Sequence, residues 1–269
     1  MLTKRIVSAA FGIAIMVAFI MWGSFPFYLF MMAVTSLAMR EFIRFLPQNY
    51  HKDYFILILL SLIIISYTYF YNKGFLLKLS PGIIFILLFF TLFIYHITNY
   101  NYDNILFTMS VNLMALIYIG GGMALLLLLR DLSYNDFFET GLLWLALIVT
   151  WAADTGAYFT GKYFGKRSLA KKLSPNKTIE GAFGGVGLAI IAVSLYLKIL
   201  DFFSYEWILY AIFAAMAAIM GDLFESSLKR DMEIKDSGSL IPGHGGILDR
   251  FDSLLFTIAF TYIFILLIK

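Results

Sequence analysis

A chain of 269 residues that is 61% hydrophobic, 18% aromatic and only 14% charged is not an ordinary soluble domain, in which about 25% of residues carry charge. This is the composition of a polytopic membrane protein. The net charge of +3 is small, so the placement of charge matters more than its total, and the absence of cysteine excludes disulfides and thiolate metal sites.

A bilayer core of about 30 Å takes roughly 20 apolar residues per helix. On that measure nine spans are expected, at 6–22, 25–39, 54–71, 80–98, 105–129, 141–160, 180–199, 205–221 and 252–268. The first follows Met1-Leu-Thr-Lys-Arg5, lacks an A-x-A-like cleavage site and runs almost directly into the second, so it reads as a retained span. Barrel strands would be shorter and would alternate. The expectation is an all-α polytopic integral membrane protein with one membrane domain over 1–269. Residues 1–130 would form lipid-facing scaffold spans, and 141–269 would carry the chemistry. Lys and Arg in short loops set the orientation. Lys4 and Arg5 place the N-terminus in the cytoplasm. Alternation then puts Arg40, Arg44, Lys52, the basic run 162–177 and the whole 222–252 segment on the same side. The C-terminus falls outside, the membrane is the cytoplasmic (inner) one, and the active site faces the cytosol.

The first half reads as chemically quiet. Pro26, Pro47 and Pro81 sit at or near span boundaries, where a missing N–H costs little. Glu41, beside Arg40, reads as an interfacial ion pair, and His96 as a packed or interfacial residue. Gly120-Gly121-Gly122 inside the fifth span would let helices approach closely or let the helix distort.

The second half is different. Asp154 lies within the sixth span, where an acid costs roughly 2.5–3.5 kcal/mol on insertion scales and normally faces a polar cavity. Tyr158, at i+4, shares its face. From 161 to 177 there are six basic residues and no acid. Headgroup attraction explains that count, but not Ser174-Pro-Asn-Lys-Thr178, which reads as a turn presenting hydroxyl, amide and ammonium groups suited to a polyphosphate. It leads into a helix whose first N–H groups favour an anion. Asp222 and Glu225, three apart, read as acids at the end of the eighth span, where the macrodipole disfavours them. Lys229, Arg230 or a metal would compensate. Asp249 and Asp252 repeat the spacing at the start of the ninth span. Capping would account for Asp252 alone, but less well for a pair. Two acid pairs at adjacent helix ends suit Mg²⁺, which prefers oxygen ligands and keeps waters for substrate phosphates. Between them, Pro242-Gly-His-Gly-Gly246 offers exposed N–H groups as a phosphate cradle.

At these residues the sequence resembles the phosphatidate cytidylyltransferase family. The family pattern is matched by Ser227, Lys229, Arg230, Lys235, Asp236, Gly238, Pro242, His244, Gly245, Gly246, Asp249, Arg250 and Asp252. The stretch from Asp154 to Gly181, including Ser174-Pro-Asn-Lys177 and Glu180-Gly181, resembles a second family block. The N-terminal spans are similar only in hydropathy. The resemblance implies that CTP and phosphatidic acid react to give CDP-diacylglycerol and pyrophosphate, with Mg²⁺ and room for a second cation. Asp222 and Asp249, then Asp252 and Glu225, would hold the metal. Lys229, Arg230, Lys235 and Arg250 would hold the lipid phosphate or the leaving pyrophosphate. Ser174, Asn176, Lys177 and Asp154 would line the nucleotide side. Glu180 and Asp236 are grouped with the substrate-binding residues, and His244, Gly245 and Gly246 would hold phosphate. CTP, phosphatidic acid and membrane lipids are the expected partners. Nucleic acid is not, and a homodimer is compatible.

Two other readings are weaker. A CDP-alcohol phosphotransferase would carry D-x2-D-G-x2-A-R-x8-G-x3-D-x3-D, which is absent. A secondary transporter would suit Asp154 and the glycine-rich helices, but here no internal repeat is found and the polarity gathers on one side.

Overall fold

The computed structural model describes residues 2–46, 53–75, 81–99, 104–132, 134, 140–234, 237–238, 240–241 and 245–268. Its helices are α1 (Leu2–Trp22), α2 (Ser24–Phe45), α3 (Tyr54–Asn72), α4 (Pro81–Thr98), α5 (Ile105–Asp131), α6 (Gly141–Phe164), α7 (Ile179–Ile199), α8 (Glu206–Asp231) and α9 (Leu248–Ile268). Among the described residues, seven of these (α2, α3 and α5–α9) are long and apolar enough to cross a membrane, and two shorter apolar helices lie at 10–22 and 82–98. The cause is the one read from the sequence: in lipid every backbone polar group must be satisfied internally, and a helix does this within one segment. Hydroxyls obey the same rule. Thr35, Ser61, Thr150, Thr257 and Thr261 each donate to the carbonyl four residues back, at 2.7–2.9 Å.

The all-α architecture carries one short β-hairpin. Strands β1 (Ser168–Ala170) and β2 (Ser174–Thr178) form an antiparallel hairpin, pairing Ser168 with Thr178 and Ala170 with Ser174. The run Ser174–Thr178 is therefore a strand and not a turn; the chain reverses at 171–173. Pro175 is tolerated because a two-stranded sheet has only edges.

Two helix ends also differ. The eighth span does not end at 221, since α8 continues to Asp231. Asp222 thus lies two and a half turns inside a helix, and the unfavourable end-dipole assigned to it does not apply. The ninth helix begins at Leu248, ahead of the expected 252.

The chain forms two compact units, Met1–Leu128 with Asp236–Leu248, and Leu129–Lys235 with Asp249–Lys269. In the first, α2 packs on α3, and α3 packs on a π-helical turn, Leu116–Gly121, within α5. Gly120 is the contact: a Cβ there would stand 3.3 Å from both Ser61 Oγ and Ile64 Cδ1. The glycine run thus supplies both the distortion and the close approach. His96 is fully buried and 3.1 Å from Asn112 Nδ2, which donates to Asp53 at 2.8 Å.

In the second unit, α6 and α7 make the closest helix pair through small residues. A Cβ on Gly156 would stand 2.5 Å from the Gly184 carbonyl oxygen; one on Gly181, 2.8 Å from that of Ala157; one on Gly185, 2.7 Å from that of Ala153. Apolar side chains gain nothing by leaving lipid for one another, so backbone proximity of this kind drives association. Helices α8 and α9 approach in the same way at Gly221, whose Cβ would lie 2.5 Å from the Asp252 carbonyl oxygen. Nearer the other end of α8, Tyr210 and Thr261 share a buried hydrogen bond of 2.8 Å.

Candidate active site

Three helices and the hairpin of the second unit bring charge together. On α8, Asp222, Glu225 and Lys229 follow at i, i+3 and i+7, one face of the helix. The Gly221 contact with Asp252 sets that face against the first two turns of α9, which carry Asp249, Arg250 and Asp252. Glu225 is fully buried, with Lys229 Nζ 3.2 Å from its Oε1. The same Nζ donates to Asp249 Oδ1 at 2.7 Å, so Lys229, only 13% exposed, joins α8 to α9. Lys177, at the end of β2, pairs with Asp222. Asp252 Oδ1 accepts the N–H of Ser253 at 2.6 Å and interacts electrostatically with Asp222, Lys229 and Arg250. Asp154 on α6 is exposed and lies within electrostatic range of Asp252, Asp222, Lys177 and Arg250. It is ten residues from the end of α6, about 15 Å along the helix.

The donor chemistry fits a divalent cation. Five carboxylates (Asp154, Asp222, Glu225, Asp249 and Asp252) share this region with three cationic side chains, Lys177, Lys229 and Arg250. Both carboxylate oxygens of Glu225 are buried, and the Lys229 ammonium 3.2 Å from Oε1 offsets the cost of that burial. Among the described residues no three His, Asp or Glu side chains converge closely enough to enclose a cation. Mg²⁺ takes few protein carboxylates and keeps water and phosphate as its other ligands.

Several expected site residues have other occupations. Lys229 lies between two acids instead of being offered to a phosphate. Arg230 donates to the carbonyl of Leu173 at 3.2 Å and to that of Ile234 at 3.5 Å, tying the end of α8 to the hairpin turn. Glu180 holds the local backbone. Its carboxylate accepts the N–H groups of Lys166 and Arg167 at 3.0 and 3.1 Å and Arg167 Nε at 3.2 Å, fastening the entry to β1. The α7 N-terminus is already partly capped, since Thr178 Oγ1 accepts the N–H of Gly181 at 3.0 Å. Ser174 is half-buried and Asn176 exposed on β2. Lys235, Asp236 and His244 lie outside the described residues.

In the first unit, Gly245 has φ +80°, and its carbonyl accepts the N–H of Ile241 at 3.0 Å, so that oxygen closes the loop. Gly246 is buried against Glu41. Glu41 itself is the residue the sequence reading missed. It is not an interfacial ion pair: it is 4% exposed and accepts the N–H of Leu248 at 2.9 Å and Ser237 Oγ at 3.5 Å. The one signal in the sequence is Ile247, a residue with no side-chain acceptor immediately before a helix.

With this geometry described, known proteins add a consistent comparison. A model of the cytidylyltransferase family matches residues 3–268. A phosphatidate cytidylyltransferase of Bacillus subtilis is 32% identical over 265 residues, 96% of each chain. Phosphatidate cytidylyltransferases of Staphylococcus aureus and Staphylococcus epidermidis are 41% and 40% identical over 153 residues, 54% of this chain and 55% of theirs.

Proposed function

The chain belongs to the cytidylyltransferase family, and from that premise we infer that it transfers the cytidylyl group of CTP to phosphatidic acid, releasing pyrophosphate and forming CDP-diacylglycerol for phospholipid synthesis. The observation that carries the reading is the mixed cluster of Asp154, Asp222, Asp252 and Arg250 on membrane-length helices with Lys177 on the hairpin. Acids can hold a cation and bases can hold phosphates, which is what joining two polyanions requires.

An oxygen of the lipid phosphate attacks the α-phosphorus of CTP. The bond from that phosphorus to the bridging oxygen breaks, and pyrophosphate leaves with the electron pair. A phosphate monoester, with a second pKa of about 6, is already largely dianionic near neutral pH, so no strong general base is needed. The work left to the side chains is to hold and neutralise charge. Asp222 and Asp252, with Asp154 beside them, are the residues that would hold Mg²⁺. Once bound, that ion would offset phosphate charge and the charge passing to pyrophosphate. Asp249 and Glu225 orient Lys229, whose ammonium lowers the repulsion among the acids. Lys177 and Arg250 would bind phosphate, with Ser174 and Asn176 on the nucleotide side.

The finer topology belongs to the same reading: nine spans, the N-terminus in the cytoplasm, and the cluster open to the cytosol and to the inner leaflet. The test is purified protein in detergent with radiolabelled CTP, phosphatidic acid and Mg²⁺. Label should enter the lipid phase, and EDTA should prevent it. A folded protein that moves no label would sink the transferase reading in favour of a transporter. Label insensitive to EDTA would keep the reaction and remove the cation from it.

A further inference from the structure

The loop between α8 and α9 returns to α2 at the Glu41 carboxylate. Glu41 lies near the C-terminal end of α2, in the same unit as residues 236–248. Both limbs of the loop press on it. On the incoming limb, Ser237 Oγ is 3.5 Å from Glu41 Oε2, and a Cβ on Gly238 would stand 2.7 Å from Oε1. On the outgoing limb, the N–H of Leu248 donates to Oε2 at 2.9 Å, and a Cβ on Gly246 would stand 2.5 Å from that same atom. Between the limbs, the Ile241–Gly245 bridge closes the loop on itself, with Gly245 at φ +80°.

Leu248 is the first residue of α9. Its N–H is one of the donors at a helix start that have no partner within the helix. A side-chain oxygen on the preceding residue usually meets the second or third of these donors. Here that residue is Ile247, which has none. A carboxylate from 207 positions away does the capping instead. The charge is suited to the place, because a helix N-terminus favours an anion.

The acids Asp249 and Asp252 occupy the first and second turns of the helix whose start is held in this way. We propose that Glu41 is a positioning residue: through Ser237, Gly238, Gly246 and Leu248 it clasps the signature loop and fixes the start of α9, one residue before Asp249 and four before Asp252. Its effect on the loop is independent of the reaction, whereas its effect on turnover rests on the cytidylyl-transfer reading.

The experiment compares the wild-type full chain with Glu41→Ala, Glu41→Gln, Gly238→Ala and the Glu41→Ala/Gly238→Ala double variant. Each is followed by amide hydrogen exchange across 237–250, by thermal unfolding, and by kcat and KM for CTP. Glu41→Ala should speed exchange at 245–249 and lower kcat roughly tenfold or more, with the unfolding temperature nearly kept. Glu41→Gln retains a carbonyl acceptor and should recover most of kcat. Gly238→Ala drives a methyl into the carboxylate and should also lose activity. In the double variant that second loss should largely disappear, a non-additivity of roughly tenfold, within the range of residues in contact. Unchanged exchange at 245–249 in Glu41→Ala would overturn the clasp. So would additive losses, or a fall in activity that merely tracks the unfolded fraction. Should Glu41→Ala fail to fold, Glu41→Gln and Gly238→Ala decide: full activity in Gly238→Ala, or no recovery in Glu41→Gln, counts against the proposal. A wild type that forms no CDP-diacylglycerol would fail the transferase reading alone, because the exchange comparison stands without it.

Discussion

Lys229 and Lys177 are both cations among acids, yet their surroundings assign them different work. Lys229 is buried between Glu225 and Asp249 and holds two helices together. Removing one partner of a buried pair leaves an uncompensated charge, at a cost of about 3–5 kcal/mol. Lys229→Ala should therefore unfold markedly earlier in denaturant, and its activity should fall with its stability. Lys177 and Asp222 are each about a quarter to a third exposed, and pairs that reach solvent contribute roughly 1 kcal/mol or less. Lys177→Ala should unfold close to wild type while KM for CTP rises several-fold. Equal unfolding midpoints for the two variants would show that Lys229 has no bridging role. The residue types at both positions were readable in the sequence. Their division of labour was not, because burial depends on which helices meet.

At the scale of elements, the α6–α7 pair positions Asp154. Gly156, two residues on from that acid, has no room for a side chain, since its Cβ would meet the Gly184 carbonyl and stand 2.9 Å from Leu188 Cβ. Gly187, one turn along α7 from Gly184, has nothing within 4 Å. Replacing Gly by Ala inside a helix is worth about 1 kcal/mol of propensity where space allows, and overpacking costs about 1–3 kcal/mol. Gly187→Ala should thus raise the unfolding midpoint slightly, while Gly156→Ala should lower it and lower kcat by pushing Asp154 away. Like effects of the two substitutions would argue against backbone contact at this crossing. The hairpin teaches a related lesson. Ser174–Thr178 contains Pro, Asn and Ser, all common in turns, and its pairing with Ser168–Ala170 overrides that local preference.

At the scale of the whole molecule, orientation rests on the distribution of Lys and Arg. The chain contains no cysteine, so single cysteines can be introduced without background. Lys171→Cys on the exposed hairpin turn should react with a membrane-impermeant maleimide only once the inner face is opened. Lys73→Cys, exposed after α3, should react in intact cells. The reverse pattern would invert the topology and move the cluster away from the cytosolic nucleotide pool.

Hydropathy placed the long helices correctly because membrane insertion depends on local composition, averaged over about 20 residues. The acids and bases of the second half stood out because charge is rare in such a chain and has to be accounted for where it occurs. Proximity between distant residues leaves no such local trace. Glu41 looked like one half of an ion pair with Arg40 until tertiary structure placed Leu248 above it. Glu180, grouped from the sequence with the substrate-binding residues, accepts the N–H groups of Lys166 and Arg167, fourteen and thirteen residues away. The apolar runs and the inventory of reactive groups were settled by the sequence alone. Which acids hold the chain together was decided only when the folded chain brought donors to them, because a buried charge is defined by the groups that satisfy it.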